Sequence, residues 1–321
     1  MKLVLENESD FNMKELELAK QICNCKEVEI AISTNSHPCY KVVNQQTKLI
    51  NSGVFSENER QRPEPWIGPI LDAPLLFISS NPSISDEPGE IREDFPTYEW
   101  TIDKSAEFFV NRFNPNVNPV HATFNHPLES NFLVKCRDGE YRSGMKNQKA
   151  PQATWNSIHM RAIELLGDEA NPNLNYALTE IVHCKSKNAI GVKEAASFCM
   201  NQWLFPILES SKIKVAVLVG SHVAKLMKNY PLKTYENFGS SAGYNALSIK
   251  DRALRDIHIL RVGDRNIVVI YNAHNGSSSI QKLPQVYGSK VIEWVSSILR
   301  DEIAPPDGVN ALRDQLEELT K

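Results

Sequence analysis

Four groups of polar residues follow directly on short apolar runs, and their types are suited to chemistry. They are Ser79-Ser80-Asn81-Pro82-Ser83, the stretch from Glu180 through His183 to Cys184, Gly220-Ser221, and Asn272-Ala273-His274-Asn275-Gly276-Ser277. A side-chain amide such as Asn81 can orient a water without needing a perturbed pKa. An imidazole such as His274 can donate a hydrogen bond to an oxygen on which negative charge accumulates. Taken singly, Asn-Pro after an apolar run is a common turn, and a lone histidine is more often a satisfied polar residue. Four polar groups at the ends of apolar runs carry more weight.

The elements that must position them are legible from patterning. Short continuous apolar runs at 74–78, 177–182 and 215–219 predict strands buried on both faces. The runs at 257–260 and 267–270, joined through Gly263-Asp264, predict either a hairpin or an edge strand beside a core strand. Apolar residues at helical spacing predict helices over 153–166, 192–208 and 289–300, and Ser221 can cap one running to Met227. Strands alternating with helices predict an α/β fold, a three-layer α/β/α arrangement around a mostly parallel sheet. Such sheets carry their ligand sites at the carboxyl ends of the strands, so the four polar groups converge on one rim.

The remaining segments are less regular. Residues 1–62 are polar and patternless and are expected to form an extension packed on the core. Residues 87–151 mix Pro, Asn and aromatic residues, which predicts a long insertion after the first core strand with one helix over 103–112. The domain proper then runs over 63–304, and 305–321 is a charged, peripheral tail. No internal repeat or low-complexity segment is present.

Composition narrows the class. At 321 residues and 41% hydrophobic, the chain can bury a substantial core. The first twenty residues have no apolar core of a signal peptide, and no apolar run is long enough to span a bilayer. Six cysteines at irregular spacing do not form a secreted disulfide framework. These features predict a cytoplasmic protein without membrane contact, and a monomer. No Walker or Rossmann glycine fingerprint appears, and His121 and His126 lack acidic or cysteine partners at ligand spacing, so no metal site is expected from them. A net charge of −4 does not advertise a nucleic-acid binder, although a groove needs only local positive potential.

The order of the motifs resembles the uracil-DNA glycosylase superfamily. Ser79-Ser80-Asn81-Pro82-Ser83 is similar to its first motif, Gly-hydrophobic-Asn-Pro-Gly in some branches. His274-Asn275-Gly276-Ser277 is similar to its second, usually His-Pro-Ser. Between them, Leu178-Thr179-Glu180-Ile181-Val182-His183-Cys184 resembles the central strand of the iron–sulfur branch, Thr-Asn-hydrophobic-Val-Lys-Cys. The lead-in Pro65-Trp66-Ile67-Gly68 and the segment from Cys199 to Gly220 add to the likeness, which spans about 63–300 apart from the insertion.

The resemblance implies a monofunctional DNA glycosylase that flips a nucleotide from the stack, hydrolyses its N-glycosidic bond and leaves an abasic site. It implies that Asn81 orients the attacking water and that His274 stabilises the departing base. Ser79, Ser80, Glu180 and His183 fall where the base is recognised. Ser83, Gly220, Ser221, Asn275, Gly276 and Ser277 fall where DNA phosphates are held, with Lys185, Lys187 and Lys282 nearby. Phe95, Tyr98 and Tyr141 are candidates to stack on a flipped base.

Glu180 departs from the family pattern. Uracil-removing members carry an Asn at about this position, which accepts from N3–H and donates to O4. An ionised carboxylate has no donor for O4 but accepts well from the exocyclic amine of cytosine. The expected substrate is therefore a modified cytosine, such as the glucosylated hydroxymethylcytosine of phage DNA that some bacterial members remove in anti-phage defence. Plain uracil excision, and a non-catalytic nucleic-acid-binding protein on the same fold, are the alternatives. The chemistry needs no cofactor. Cys184 and Cys199 have the spacing of two ligands in the iron–sulfur branch, which with Cys23 and Cys25 implies a structural [4Fe–4S] cluster; Cys39 is the other nearby candidate.

Overall fold

The structure, a computed structural model, describes residues 8–84, 94–112, 134–135, 141–142, 153–227, 246–272, 274–275 and 279–321. Its centre is a six-stranded sheet. The strands are β1 (Trp66–Ile67), β2 (Leu75–Ser79), β5 (Tyr176–Glu180), β6 (Val215–Val219), β7 (Ile257–Val262) and β8 (Arg265–Asn272). Two short pairs lie outside it, β3 (Val134–Lys135) with β4 (Tyr141–Arg142), and β9 (His274–Asn275) with β10 (Ser279–Ile280). The sheet order is β1-β5-β2-β6-β8-β7. The four inner strands are parallel, and β1 and β7 close the edges antiparallel.

The inner strands are apolar without alternation, and burial follows. All five residues of β5 and of β6 are buried, as are the first four of β2 and the last six of β8. Neighbouring side chains on a strand point to opposite faces, so burial at every position means that both faces are covered. The connection leaving β2 runs to one side and that leaving β6 to the other. This makes the gap between their carboxyl ends a topological switch point, the usual position of a ligand crevice.

The covering helices are α1 (Glu8–Cys23), α2 (Glu27–Ser33), α3 (Tyr40–Asn51), α4 (Ile102–Val110), α5 (Ala153–Leu166), α6 (Val192–Cys199), α7 (Phe205–Ser210), α8 (Ser221–Met227), α9 (Ile249–Asp256), α10 (Leu283–Tyr287), α11 (Ser289–Leu299) and α12 (Val309–Leu319). Local capping sets some boundaries. Thr101 accepts from the Lys104 N–H at the start of α4, and Ser248 accepts from the Asp251 N–H at the start of α9. Gly68 ends β1 at φ +88°, and a Cβ there would stand 2.7 Å from two backbone oxygens, so only glycine fits.

Three expectations need correction. The patternless N-terminal stretch is largely helical: α1, α2 and α3 bury Ala19, Ile22, Ala31, Val42 and Val43 in the same core as the sheet. Their apolar residues are too sparse to announce a helix until the core covers them. The tail is not merely peripheral, because α12 buries Leu312 and Leu316 and packs against α9 and β7. The predicted helix over 192–208 is α6 and α7 joined through a π-turn, Met200–Leu204. Pro206 lacks the N–H that would bond back to Gln202, which disfavours a continuous α-helical ladder there. Among the described residues, no helix is long and apolar enough to cross a membrane.

Candidate functional site

Strands β2 and β5 pair in parallel with Ser79 opposite Glu180, so both loops leave the same end of the sheet. The Ser79 hydroxyl donates to Glu180 Oε1 at 3.1 Å. Backbone pairing continues past the strands: Ile181 N–H donates to Ser79 O, Val182 N–H to Ser80 O, and Ser186 N–H to Pro82 O. This holds the two exit loops side by side with Asn81 between them.

The Asn81 amide is half-buried and hydrogen-bonded at both ends. Its Nδ2 donates to Pro82 O at 2.8 Å, to Ser186 Oγ at 3.2 Å and to Ser186 O at 3.4 Å. Its Oδ1 accepts from the Ser80 hydroxyl at 3.3 Å. Ser83 is exposed.

The far side of the rim is built by β6 and β8. Gly220 N–H donates to Asn272 O at 2.8 Å, and Ser221 opens α8. Asn272 is fully buried, and its Nδ2 donates to Gln281 O at 3.0 Å, closing the base of the β9–β10 pair. His274 and Asn275 form β9, with His274 opposite Ile280. The side chains of His274, Asn275 and Tyr141 lie outside the described residues, as do Gly276, Ser277, His121 and His126.

Electrostatics at the β5 end centre on Glu64. Its Oε1 stands 3.4 Å from Arg112 Nη1 and its Oε2 3.5 Å from Lys185 Nζ, with all three side chains buried. Lys185 Nζ also lies 3.3 Å above the Phe95 ring, and Arg112 lies 4.2 Å above Trp155. Burial, then the negative charge of Glu64, pushes Glu180 up to about 8; the Ser79 hydrogen bond and the cations Lys185 and Arg112 oppose that shift. Glu180 is therefore protonated at neutral pH. This corrects the sequence-based expectation of an ionised carboxylate.

Several other candidates are committed to packing. His183 is buried; its Nδ1–H donates to Glu64 O at 2.7 Å, and burial lowers it to about 4, so the ring is neutral. Lys185 serves the buried ion cluster rather than a phosphate. Phe95 is buried among Phe108 and Phe109, and Tyr98 carries Arg62 4.6 Å above its ring. Lys187 and Lys282 are exposed. Patterning did not single out Glu64, Arg112 or Ser186. Glu64 lies in the Pro-flanked lead-in, and nothing local marks the other two.

Four cysteines meet behind β5. Cys25 in the α1–α2 turn, Cys39 ahead of α3, Cys184 after β5 and Cys199 at the end of α6 line one cavity with His183, Gln202 and Trp203. Cys39 takes the fourth place in this set instead of Cys23, which lies within α1 and does not line the cavity. Burial pushes all four thiols up, Cys39 to about 12, and each is raised further by neighbouring cysteines except Cys25, where Glu27 supplies the opposing charge. Unliganded, they are neutral thiols. His183 Nε2 and Gln202 Oε1 are buried without a hydrogen-bond partner. Among the described residues, no three His, Cys, Asp or Glu stand close enough to hold a single metal ion. Four thiols lining one cavity are the donor type that an iron–sulfur cluster takes.

No family model matches the chain, and no curated protein matches it.

The ion cluster sets a stability test. Replacing Glu64 by Gln leaves Arg112 and Lys185 buried without their shared counter-charge. The expected loss is about 3 kcal/mol of unfolding free energy, measured by denaturant titration.

Proposed function

We propose that this chain is a monofunctional DNA glycosylase with a uracil-DNA glycosylase-like fold. The observation that carries the proposal is the pairing of an immobilised amide with a buried, protonated carboxyl on neighbouring strand ends, Asn81 after β2 and Glu180 on β5. In this reading a nucleotide is flipped into the crevice at the switch point. Asn81 Oδ1 accepts a hydrogen bond from a water and holds it beneath the anomeric carbon. As the glycosidic bond lengthens, positive charge grows on the sugar and negative charge on the base. His274 donates to a base oxygen, and Glu180 meets the Watson–Crick edge.

The proposed substrate is a modified cytosine, such as glucosylated hydroxymethylcytosine in phage DNA. A neutral carboxyl serves that edge with two bonds: its O–H donates to N3 and its carbonyl oxygen accepts from the 4-amino group. The neutral form also pairs with uracil, donating to O4 and accepting from N3–H. Recognition of either base by this residue thus depends on its proton. The sign follows from the raised pKa: the proton is present below about pH 8 and lost above it. Ionisation removes that O–H donor from both pairings, the bond to N3 of cytosine and the bond to O4 of uracil, and leaves one accepted bond in each. Release of a base read by Glu180, whether modified cytosine or uracil, should therefore fall between pH 7 and pH 9. Glu180→Gln, neutral throughout with one donor and one acceptor, should flatten the profile over this range; an unchanged profile counts against Glu180 as the base reader.

Activity is tested with oligonucleotides carrying uracil, hydroxymethylcytosine or glucosylated hydroxymethylcytosine, followed by alkaline cleavage of abasic sites. Release is expected from the glucosylated base. Asn81→Ala should lower the single-turnover rate by about two orders of magnitude while DNA binding is retained. Binding without alkali-labile sites in any of the three would instead support the non-catalytic nucleic-acid-binding alternative.

The proposal includes a structural [4Fe–4S] cluster held by Cys25, Cys39, Cys184 and Cys199. When bound, it would join the α1–α3 segment to the core, and it takes no part in hydrolysis. Protein purified without oxygen should show the brown colour and iron content of a cluster. Cys39→Ser should lose both and Cys23→Ser should keep them; the reverse result would restore Cys23 as ligand.

A further inference from the structure

Ser186 lies six residues after Glu180 and two beyond Cys184, outside every motif, yet it touches the centre of the site. It is 1% exposed and extended at φ −148° and ψ 156°. It occupies the N-cap position of the short helical turn Lys187–Ala189, where a serine hydroxyl normally accepts from a backbone N–H two or three residues on. Here it makes no such cap. Its Oγ instead accepts from Asn81 Nδ2 at 3.2 Å, while its carbonyl oxygen accepts from the same nitrogen at 3.4 Å. Its own N–H donates to Pro82 O at 3.2 Å, and Pro82 O is the third acceptor of the Asn81 amide.

These contacts decide which way the amide faces. Carbonyl oxygens only accept, so the end of Asn81 that meets Pro82 O and Ser186 O must be the NH2 end. An inverted amide would set its oxygen against two carbonyl oxygens. Oδ1 is thereby turned to the opposite side, where the Ser80 hydroxyl donates to it. An oxygen, not an NH2 group, must face a water whose lone pair is to attack carbon: the water then donates its proton to the amide and points its own oxygen at the substrate.

We propose that Ser186 is a positioning residue for Asn81, fixing the orientation of its amide so that Oδ1 is the atom offered to the nucleophilic water. The inference rests on the glycosylase reading for its kinetic consequence, but its geometric content stands apart from that reading. The strained turn that follows agrees with a fixed position for Ser186. Asn188 and Ala189 both adopt φ +54°, an unfavourable conformation for residues with a side chain.

The test uses the full chain and whichever oligonucleotide the wild type cleaves. Ser186→Ala removes one acceptor and leaves the two carbonyls, so the single-turnover rate should fall about three- to tenfold with DNA affinity unchanged. Ser186→Gly removes the same hydroxyl, and also the Cβ that restricts the backbone, and should show at least the same loss. In an Asn81→Ala background, Ser186→Ala should change the residual rate by less than about twofold, since a residue acting through Asn81 has nothing left to position. Equal losses in both backgrounds, or a wild-type rate in Ser186→Ala, would overturn the assignment. A second readout needs no turnover. With selective 15N-Asn labelling, the Asn81 Nδ2 protons should exchange slowly with solvent in the wild type and faster in Ser186→Ala. If the wild type releases no base from any oligonucleotide, the glycosylase reading fails, and the exchange experiment alone decides the positioning role. Equal exchange in the two proteins then sinks it.

Discussion

Glu64 ties the rim together with every polar group it has. Its N–H donates to His183 O, and its carbonyl oxygen accepts from His183 Nδ1. One carboxylate oxygen faces Arg112 from the end of α4, and the other faces Lys185 from the loop after β5. The lead-in to β1, the exit of β5 and the insertion helix are thereby fixed to one another. A buried charge tolerates little displacement, because removing a partner weakens the compensation of the charge that remains in a medium of low dielectric constant. The same carboxylate helps keep Glu180 protonated. The structural anchor and the chemistry of the rim are thus coupled through one negative charge.

This coupling explains a division of labour among groups that look interchangeable on paper. Glu64 offsets part of the positive charge of Lys185 and Arg112 inside the protein. Glu180, one strand end away, is left as a neutral carboxyl held by Ser79. Asn81 needs no charge at all, and its orientation comes from carbonyl and hydroxyl acceptors. A site assembled in this way presents directional hydrogen bonds rather than net charge, which is compatible with a chain whose overall charge is negative.

The cysteine cavity shows the N-terminal helices in a different light from their composition. Cys25 and Cys39 come from the segment before β1, and Cys184 and Cys199 from the two sides of the β5–α6 connection. Gly191, at the start of α6, packs so closely on α3 that a Cβ there would stand 2.3 Å from Val42 N. Lys41 of α3 and Glu194 of α6 form an ion pair at 2.5 Å on the surface above. The α1–α3 segment is thus part of the core that supports the exit of β5, and its removal would expose the cavity wall.

Much of this framework was legible in the sequence because its signals are local. The continuous apolar runs of β2, β5, β6 and β8 require burial on both faces, and α5, α8 and α11 were placed from their spacing nearly to the residue. Strand ends in a parallel sheet must share one edge, so the nearness of Asn81 and Glu180 followed from the runs alone. The helicity of residues 8–51 was not legible, since a few apolar residues per helix become a core stripe only when something packs on them. Nor was the protonation of Glu180, which depends on burial and on Glu64, 116 positions distant in sequence. That Cys39 rather than Cys23 lines the cavity with the other three depends on where α1 ends and α3 begins, and the contact of Ser186 with Asn81 on two loops meeting. The sequence by itself determined which residues stand at the carboxyl ends of the strands, because periodicity and turn chemistry are properties of neighbouring residues. Only the tertiary structure decided their protonation, orientation and partners, because those properties depend on the groups brought together by folding.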